Sequence, residues 1–200
     1  MRLRRFARKA TIAAVLLAVA TGLGSCATPP PPQFPELTFT HLPQITLGVE
    51  RIEVVDNFTP PSDSKHVENR MPVSPEQALK NWARDRLKAN GVSGVAKFII
   101  TNASVVETDL ARSKGLKGVF TTEQAERYDA AVNVEVRLEG VPRVNQAFAQ
   151  ASVERSQTVA EDASINVREE VLFALTEQVM KDFDPQMAAS IRKHLADFIR

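Results

Sequence analysis

Cys26 is the single thiol in 200 residues. It follows Leu23-Gly24-Ser25, one branched apolar residue and two small ones. A thiol in that setting can form a thioether, and small residues before it let a peptidase approach the backbone. The other reactive groups are scattered. His41 sits in a proline-rich stretch, His66 in a polar loop and His194 near the C-terminus. None lies at i, i+4 from another His or beside a Cys, so the sequence carries no metal signature and no resident cofactor is expected. No G-x-S-x-G elbow, P-loop or G-x-G-x-x-G fingerprint occurs. Glu161-Asp162 and Glu169-Glu170 are adjacent acids on polar surface rather than facing carboxylates. Lys80, Arg84 and Lys88 recur at i, i+4 and i+8 and form a basic stripe on a predicted helix. Such a stripe can meet lipid phosphates or serve as a solvated outer face.

The segment ahead of Cys26 gives that thiol its meaning. Arg2, Arg4, Arg5, Arg8 and Lys9 open the chain without an acid among them, and sixteen uncharged, mostly apolar residues follow. That is the layout of a secretory signal. The apolar run is short of the roughly 20 residues that span a bilayer. Pro29-Pro30-Pro31-Pro32 stop it from lengthening. Leu23-Gly24-Ser25-Cys26 resembles the lipobox of bacterial lipoproteins. The resemblance implies diacylglyceryl transfer to the Cys26 thiol, cleavage between Ser25 and Cys26, and acylation of the new amine. It commits the lone thiol to lipid and leaves none for catalysis or a disulfide. Ala27 stands where inner-membrane lipoproteins of enteric bacteria often carry Asp, so the resemblance favours the outer membrane, with the domain in the periplasm. Arg4-Arg5 hint at twin-arginine export, but the wider pattern is missing.

Cleavage would leave 175 residues with 20 basic against 24 acidic side chains, a net charge of −4. That balance argues against a nucleic-acid binder. The length suits one domain, and 44% hydrophobic residues can build a core. The expected organisation is a signal peptide over 1–25, a proline-rich tether over 26–44 and an α/β domain over 45–200. Six of twelve prolines fall in 27–44. Proline fixes φ and lacks a donor, so this stretch reads as an extended spacer rising about 3.1 Å per residue.

Within the domain, Ile45–Asp56 reads as a strand whose alternation slips phase near Glu50-Arg51, which predicts a bulge or two pieces. Residues 57–73 form a long polar loop and a candidate contact surface. Ser74, Pro75 and Gln77 spell a helix start, with Val73 and Ala78 as a staple. The helix buries Leu79, Trp82, Ala83 and Leu87 and is expected to stop at Asn90-Gly91. Val95–Thr108 is a β-branched strand. Residues 113–118 read as a turn, and Thr121–Arg127 as one helical turn. Tyr128–Glu139 alternates cleanly, and Val144–Ser156 presents small residues at Ala147, Ala149 and Ala151. A helix from Asp162 or Ser164 buries Ile165, Leu172, Leu175, Val179 and Phe183. Asp184-Pro185 then reads as the cap and first-turn proline of a separate final helix carrying Met187, Ile191, Leu195 and Phe198.

This order, β-α-β-β-β-α, predicts an α+β two-layer sandwich. Its three- or four-stranded, mainly antiparallel sheet carries the helices on one face plus an extra C-terminal helix. The topology resembles that of the lipopolysaccharide-assembly lipoprotein and of ABC-type transport auxiliary lipoproteins. The resemblance implies a non-catalytic accessory role beside an envelope membrane protein, with lipidated Cys26 as the membrane contact. A lipid- or glycan-binding module is the alternative, for which a cavity between helices and sheet would speak. A hydrolase would need His66 or His194 brought beside a serine and an acid by folding. Deleting residues 27–43 is expected to spare folding. Cys26→Ser abolishes palmitate labelling of the expressed protein; labelling that persists in the variant would exclude this cysteine as the lipid site.

Overall fold

The strongest alternation in the sequence makes the centre of the sheet. In the computed structural model, which describes residues 33–63, 65–111, 123–142 and 147–200, Gln124–Glu139 is one long strand. Tyr128, Ala130, Val132, Val134, Val136 and Leu138 all point into the core. The elements in order are β1 (Ile45–Leu47), β2 (Arg51–Asp56), α1 (Pro75–Arg86), β3 (Leu87–Ala89), β4 (Val95–Asp109), β5 (Gln124–Glu139), β6 (Ala147–Ala160) and α2 (Ile165–His194). The main sheet runs β2-β4-β5-β6. β2 and β4 are parallel and joined through α1, as a crossover connection requires; β4-β5 and β5-β6 are antiparallel. With both helices on one face, this is the α+β sandwich that the element order predicts.

The phase slip at Glu50-Arg51 resolves as two strands in two sheets. β1 pairs in parallel with β3, and the C-terminus adds to the free side of β1 through a bridge between Leu47 and Ile199. This small sheet explains why α1 ends earlier than Asn90-Gly91 suggests. Leu87 has extended dihedrals at the helix C-cap and pairs with Ile45. Its apolar side chain is still buried, but from a strand. Gly91 serves close approach instead of a helix stop: a Cβ there would lie 2.5 Å from the Gly48 carbonyl carbon. Among the described residues the left-handed glycines are Gly94 and Gly140, with φ of 81° and 67°.

β4 shows a second slip. Ala96, Phe98 and Ile100 face inward, then Ala103 and Val105. A bulge between Ile100 and Asn102 absorbs the extra residue, and the Thr101 hydroxyl donates to the Asn133 carbonyl oxygen at 3.0 Å. Beyond the bulge the outer edge of β4 is taken by the polar loop. The Val67 amide donates to the Val105 carbonyl, and the Glu107 amide to that of Lys65. So the second half of loop 57–73 is docked on the sheet. Residues 124–127, expected as a helical turn, begin β5 instead, and the predicted turn at 113–118 lies outside the described residues.

The helix layer meets the sheet at three rings, one each from α1, β4 and α2. Trp82 stacks on Phe98 with centroids 5.6 Å apart. Phe183 presents its edge to Trp82 at 5.2 Å and to Phe98 at 6.4 Å. These are the offset and edge geometries that aromatic quadrupoles favour. Ser74 caps α1 by accepting from the Gln77 amide, as predicted. The side chain of Gln77 reaches forward to Asn81 and does not close the capping box. Ser164 caps α2 from the Val167 amide, so Ile165 begins the helix and is exposed, not buried.

α2 differs from expectation in one large respect. It runs unbroken for 30 residues with Pro185 inside it. In place of a separate C-terminal α-helix, a single 3-10 turn at Ala196–Phe198 follows it. Proline in a helix interior removes one backbone bond and costs roughly 3 kcal/mol. Two features offset that. Phe183 and Met187 are fully buried on either side of it, and Pro185 itself faces solvent. Asp184, expected as a cap, accepts instead from the Trp82 indole N–H and from Arg86 Nε, each at 2.8 Å. The helix thus continues because its neighbours hold both halves. α2 lies close on β6 over Ala149 and Ala151, and polar contacts stitch the seam. The Gln150 amide donates to Ser190 Oγ, Arg155 pairs with Asp182, and Gln157 donates to Gln178. Inward-facing Arg155 also blunts the edge strand against pairing with another chain.

Arg86 is almost fully buried, and its Nη1 has no partner. Asp184→Ala would therefore leave a buried guanidinium uncompensated and lower stability by about 3–5 kcal/mol. Denaturant unfolding followed by Trp82 fluorescence measures it; a loss under about 1 kcal/mol would show that the pair is not structurally important.

Candidate functional site

Cys26 and Ser25, the expected lipidation and cleavage residues, lie outside the described residues. The chain that follows them can be traced from Gln33, and it is not a free spacer. Phe34 rests against Phe173 of α2 with ring centroids 5.1 Å apart. The Leu37 carbonyl accepts from the Asn81 side chain at 3.1 Å. The Phe39 amide donates to Asp85 Oδ2 at 2.8 Å, and the Phe39 ring is buried. Gln44 reaches the Asp85 carbonyl, and Glu36 pairs with Arg84 at 3.2 Å. Residues 33–44 thus form a strap across α1 and α2. Pro32–Arg200 is one compact unit.

Asp85 is the centre of this attachment. Burial pushes its carboxyl up, but the Phe39 amide and then the Arg84 guanidinium outweigh burial and hold it below the ordinary aspartate value. The same residues explain the basic stripe. Lys80 pairs with Asp56 at 2.8 Å and with Glu76 one turn back. Its hydrogen bonds to Asp56 and Glu76 raise its pKa. The Asp56 carboxyl, pushed up by burial, is brought below its usual value by Lys80 and Glu76. Arg84 is spent on Glu36 and Asp85. Lys88 is exposed but belongs to β3, not to the helix. The stripe therefore does not form one helical face of open cations: two of its members hold the strap and β2 to α1.

His66 and Glu68 are brought together. His66 Nδ1 lies 2.9 Å from Glu68 Oε1, which also accepts from the Val105 amide at 2.7 Å. The pair fastens the docked loop to β4. Glu68 Oε2 is buried without a partner. His194 is exposed at the end of α2. Tyr128, Glu126 and Arg168 form a second polar group: the Tyr128 hydroxyl donates to Glu126 at 2.8 Å, and Arg168 pairs with the same carboxylate. Burial, and then Glu107, raise the Tyr128 pKa. Among the described residues no three of His, Cys, Asp and Glu are grouped to hold a metal ion. No described helix is long and apolar enough to cross a membrane.

Three open cavities are formed by described residues. One of about 330 Å³ runs between the strap and α2, over Leu37, Phe39, Leu42 and Met180. One of about 480 Å³ is lined by Lys65, Arg70, Glu107, Thr108 and Asp109. A third, of about 430 Å³, opens on the outer face of the sheet at Thr101, Asn133, Gln150 and Ser152. Nothing in the sequence marks the strap except its apolar residues, Phe34, Leu37, Phe39 and Leu42. Pro29–Pro32, Pro35 and Pro43 around them mask that signal.

No protein-family model matches this chain, and no curated protein does. Among solved structures it is similar to the rare lipoprotein B from Shewanella oneidensis. The identity is 10% over 70% of this chain and 92% of that one, with a TM-score of 0.37. It is also similar to a minor lipoprotein from Acinetobacter baumannii, at 12% identity over 70% and 93% of the two chains, with a TM-score of 0.33. Both scores are too low to assign this chain a role.

The strap changes what a deletion does. Removing 27–32 leaves stability unchanged, whereas removing 27–43 takes out buried Phe39 and orphans Asp85, lowering stability by at least about 3 kcal/mol. Equal stability of the two deletions would show the strap to be unattached. Asp85 has a depressed pKa in the fold, so its contribution is present above the ordinary value of 3.8 and lost as pH falls through the folded value. Proteolysis within 33–44 accordingly increases on acidification below pH 3.8, and Asp85→Ala is cleaved there already at pH 7.

Proposed function

We propose that this chain is a lipid-anchored, non-catalytic envelope protein. Its α+β domain serves as an accessory to an envelope membrane protein in outer-membrane assembly or lipid transport. The observation that carries the reading is Cys26. It is the one cysteine, and it stands directly after a basic, apolar and small-residue segment at Leu23-Gly24-Ser25. Two acyl chains or more on that residue make the anchor stable, at about 0.8 kcal/mol per buried CH₂. Ala27 favours the outer membrane. The domain faces the periplasm in this reading.

The described residues support a scaffold more readily than an enzyme. Their titratable groups are spent on structure: Asp85 on the strap, Asp184 on Trp82 and Arg86, Glu68 on the docked loop. His66 meets Glu68 through Nδ1, the pairing with an acid that a hydrolase reading asks of His66 or His194; the same carboxylate oxygen is also held by the Val105 amide of β4. The outer sheet face and the docked loop remain as surfaces for a partner.

Cross-linking and affinity purification from solubilised envelopes tests the proposal, with Cys26→Ser as control. The expected result is one membrane protein recovered in stoichiometric amount with the wild type and lost with the variant. Recovery of no specific membrane protein contradicts the accessory role.

A further inference from the structure

The outer face of the sheet, open to a protein partner, also carries a trough with a chemistry of its own. Three cross-strand pairs follow one another on β5 and β6: Arg137 opposite Phe148, Glu135 opposite Gln150, and Asn133 opposite Ser152. The bulge at Thr101 adds a hydroxyl on the β4 side. Thr101, Asn133, Val134, Glu135, Gln150, Ala151 and Ser152, with Gln186 of α2, line a trough of about 430 Å³, and Arg137 and Phe148 lie just beyond it. Phe148, one pair further along the same face, leaves 48% of its surface exposed.

The lining is chemically selective. Asn133, Gln150, Ser152 and Gln186 supply amide and hydroxyl groups able to donate and accept, and Thr101, whose hydroxyl proton goes to the Asn133 carbonyl, supplies an acceptor. The one formal charge in the lining is Glu135, and its carboxylate accepts from Arg137 Nε at 2.6 Å. A phosphate or carboxylate ligand would need an uncommitted cation, and the lining has none. An apolar chain would leave the amides unpaired, which costs binding energy. A pyranose satisfies both demands: its hydroxyls match amide and hydroxyl partners, and its C–H face stacks on an exposed aromatic ring. Bulges beside binding sites re-aim side chains in this way.

We propose that the trough formed by Thr101, Asn133, Gln150 and Ser152, with Phe148 as its platform, binds a neutral saccharide. The site is open, so affinity falls in the high-micromolar to millimolar range, about the weak end of specific recognition. It does not depend on the anchor and stands whether or not Cys26 is lipidated.

The test is a titration of the full-length protein in detergent with the tetramer of N-acetylglucosamine, read by amide NMR shifts. Saturable shifts confined to residues 101, 133–135, 148–152 and 186 are expected. Phe148→Ala weakens binding about tenfold or more while thermal unfolding is unchanged. No saturation, saturation mapped elsewhere, or unchanged affinity in Phe148→Ala overturns the proposal. Sedimentation with peptidoglycan sacculi and titration with deacylated lipopolysaccharide then tell which envelope glycan supplies the sugar; binding to either is expected, and binding to neither overturns an envelope role for the site.

Discussion

The packing of Trp82 between Phe98 and Phe183 is the contact on which the rest of the domain depends. One ring comes from each of α1, β4 and α2. Remove it, and the helix layer loses its common point on the sheet. The indole nitrogen also needs a partner in the core, and Asp184 provides it. Asp184 in turn neutralises Arg86, whose guanidinium lies 5.9 Å from the Trp82 ring centroid. A buried charge must be paired, so these three residues fix how α1 and α2 lie against each other. That constraint explains an uninterrupted α2 across Pro185. The helix is held at Phe183 before the proline and at Met187 and Ile191 after it, and breaking it would release buried area on both sides.

The same helix pair creates the seat for the N-terminal strap. With α1 fixed, Asn81 and Asp85 lie on its far side and capture the backbone of Leu37 and Phe39. The domain therefore begins well before its first strand. A functional consequence follows for the proposed anchor. From residue 33 onward the chain that leads back to the proposed anchor is held to α1 by hydrogen bonds. The basic residues once suited to a membrane contact are the ones that secure this arrangement, through Lys80 to Asp56 and Arg84 to Glu36.

Local signals in the sequence were read well wherever one face of an element decides its structure. The alternation of Tyr128–Leu138, the Ser74 and Ser164 caps and the alanines of β6 all appear where their patterns put them. Readings failed where a distant partner overrides local preference. Leu87 continues a helical period but pairs with Ile45. Asp184-Pro185 has the grammar of a helix start, yet Trp82, about a hundred positions earlier, claims the carboxylate. Residues 33–44 look like linker because they continue the Pro29–Pro32 run with Pro35 and Pro43, while Phe39 is apolar enough to join the core once α1 offers an acceptor for its amide. The outer-face trough had no pattern to find: Thr101, Asn133 and Ser152 come from three strands and meet only through register. The proposed lipid site rests on sequence alone, because Cys26 lies outside the described residues.

The strap and the helix layer form one cooperative unit, and hydrogen exchange at the Phe39 amide is the test. This amide and the Trp82 indole N–H are expected to exchange only on global unfolding and to share one protection free energy. A Phe39 amide that exchanges at near-unfolded rates while Trp82 stays protected would contradict it and return residues 33–44 to a free tether.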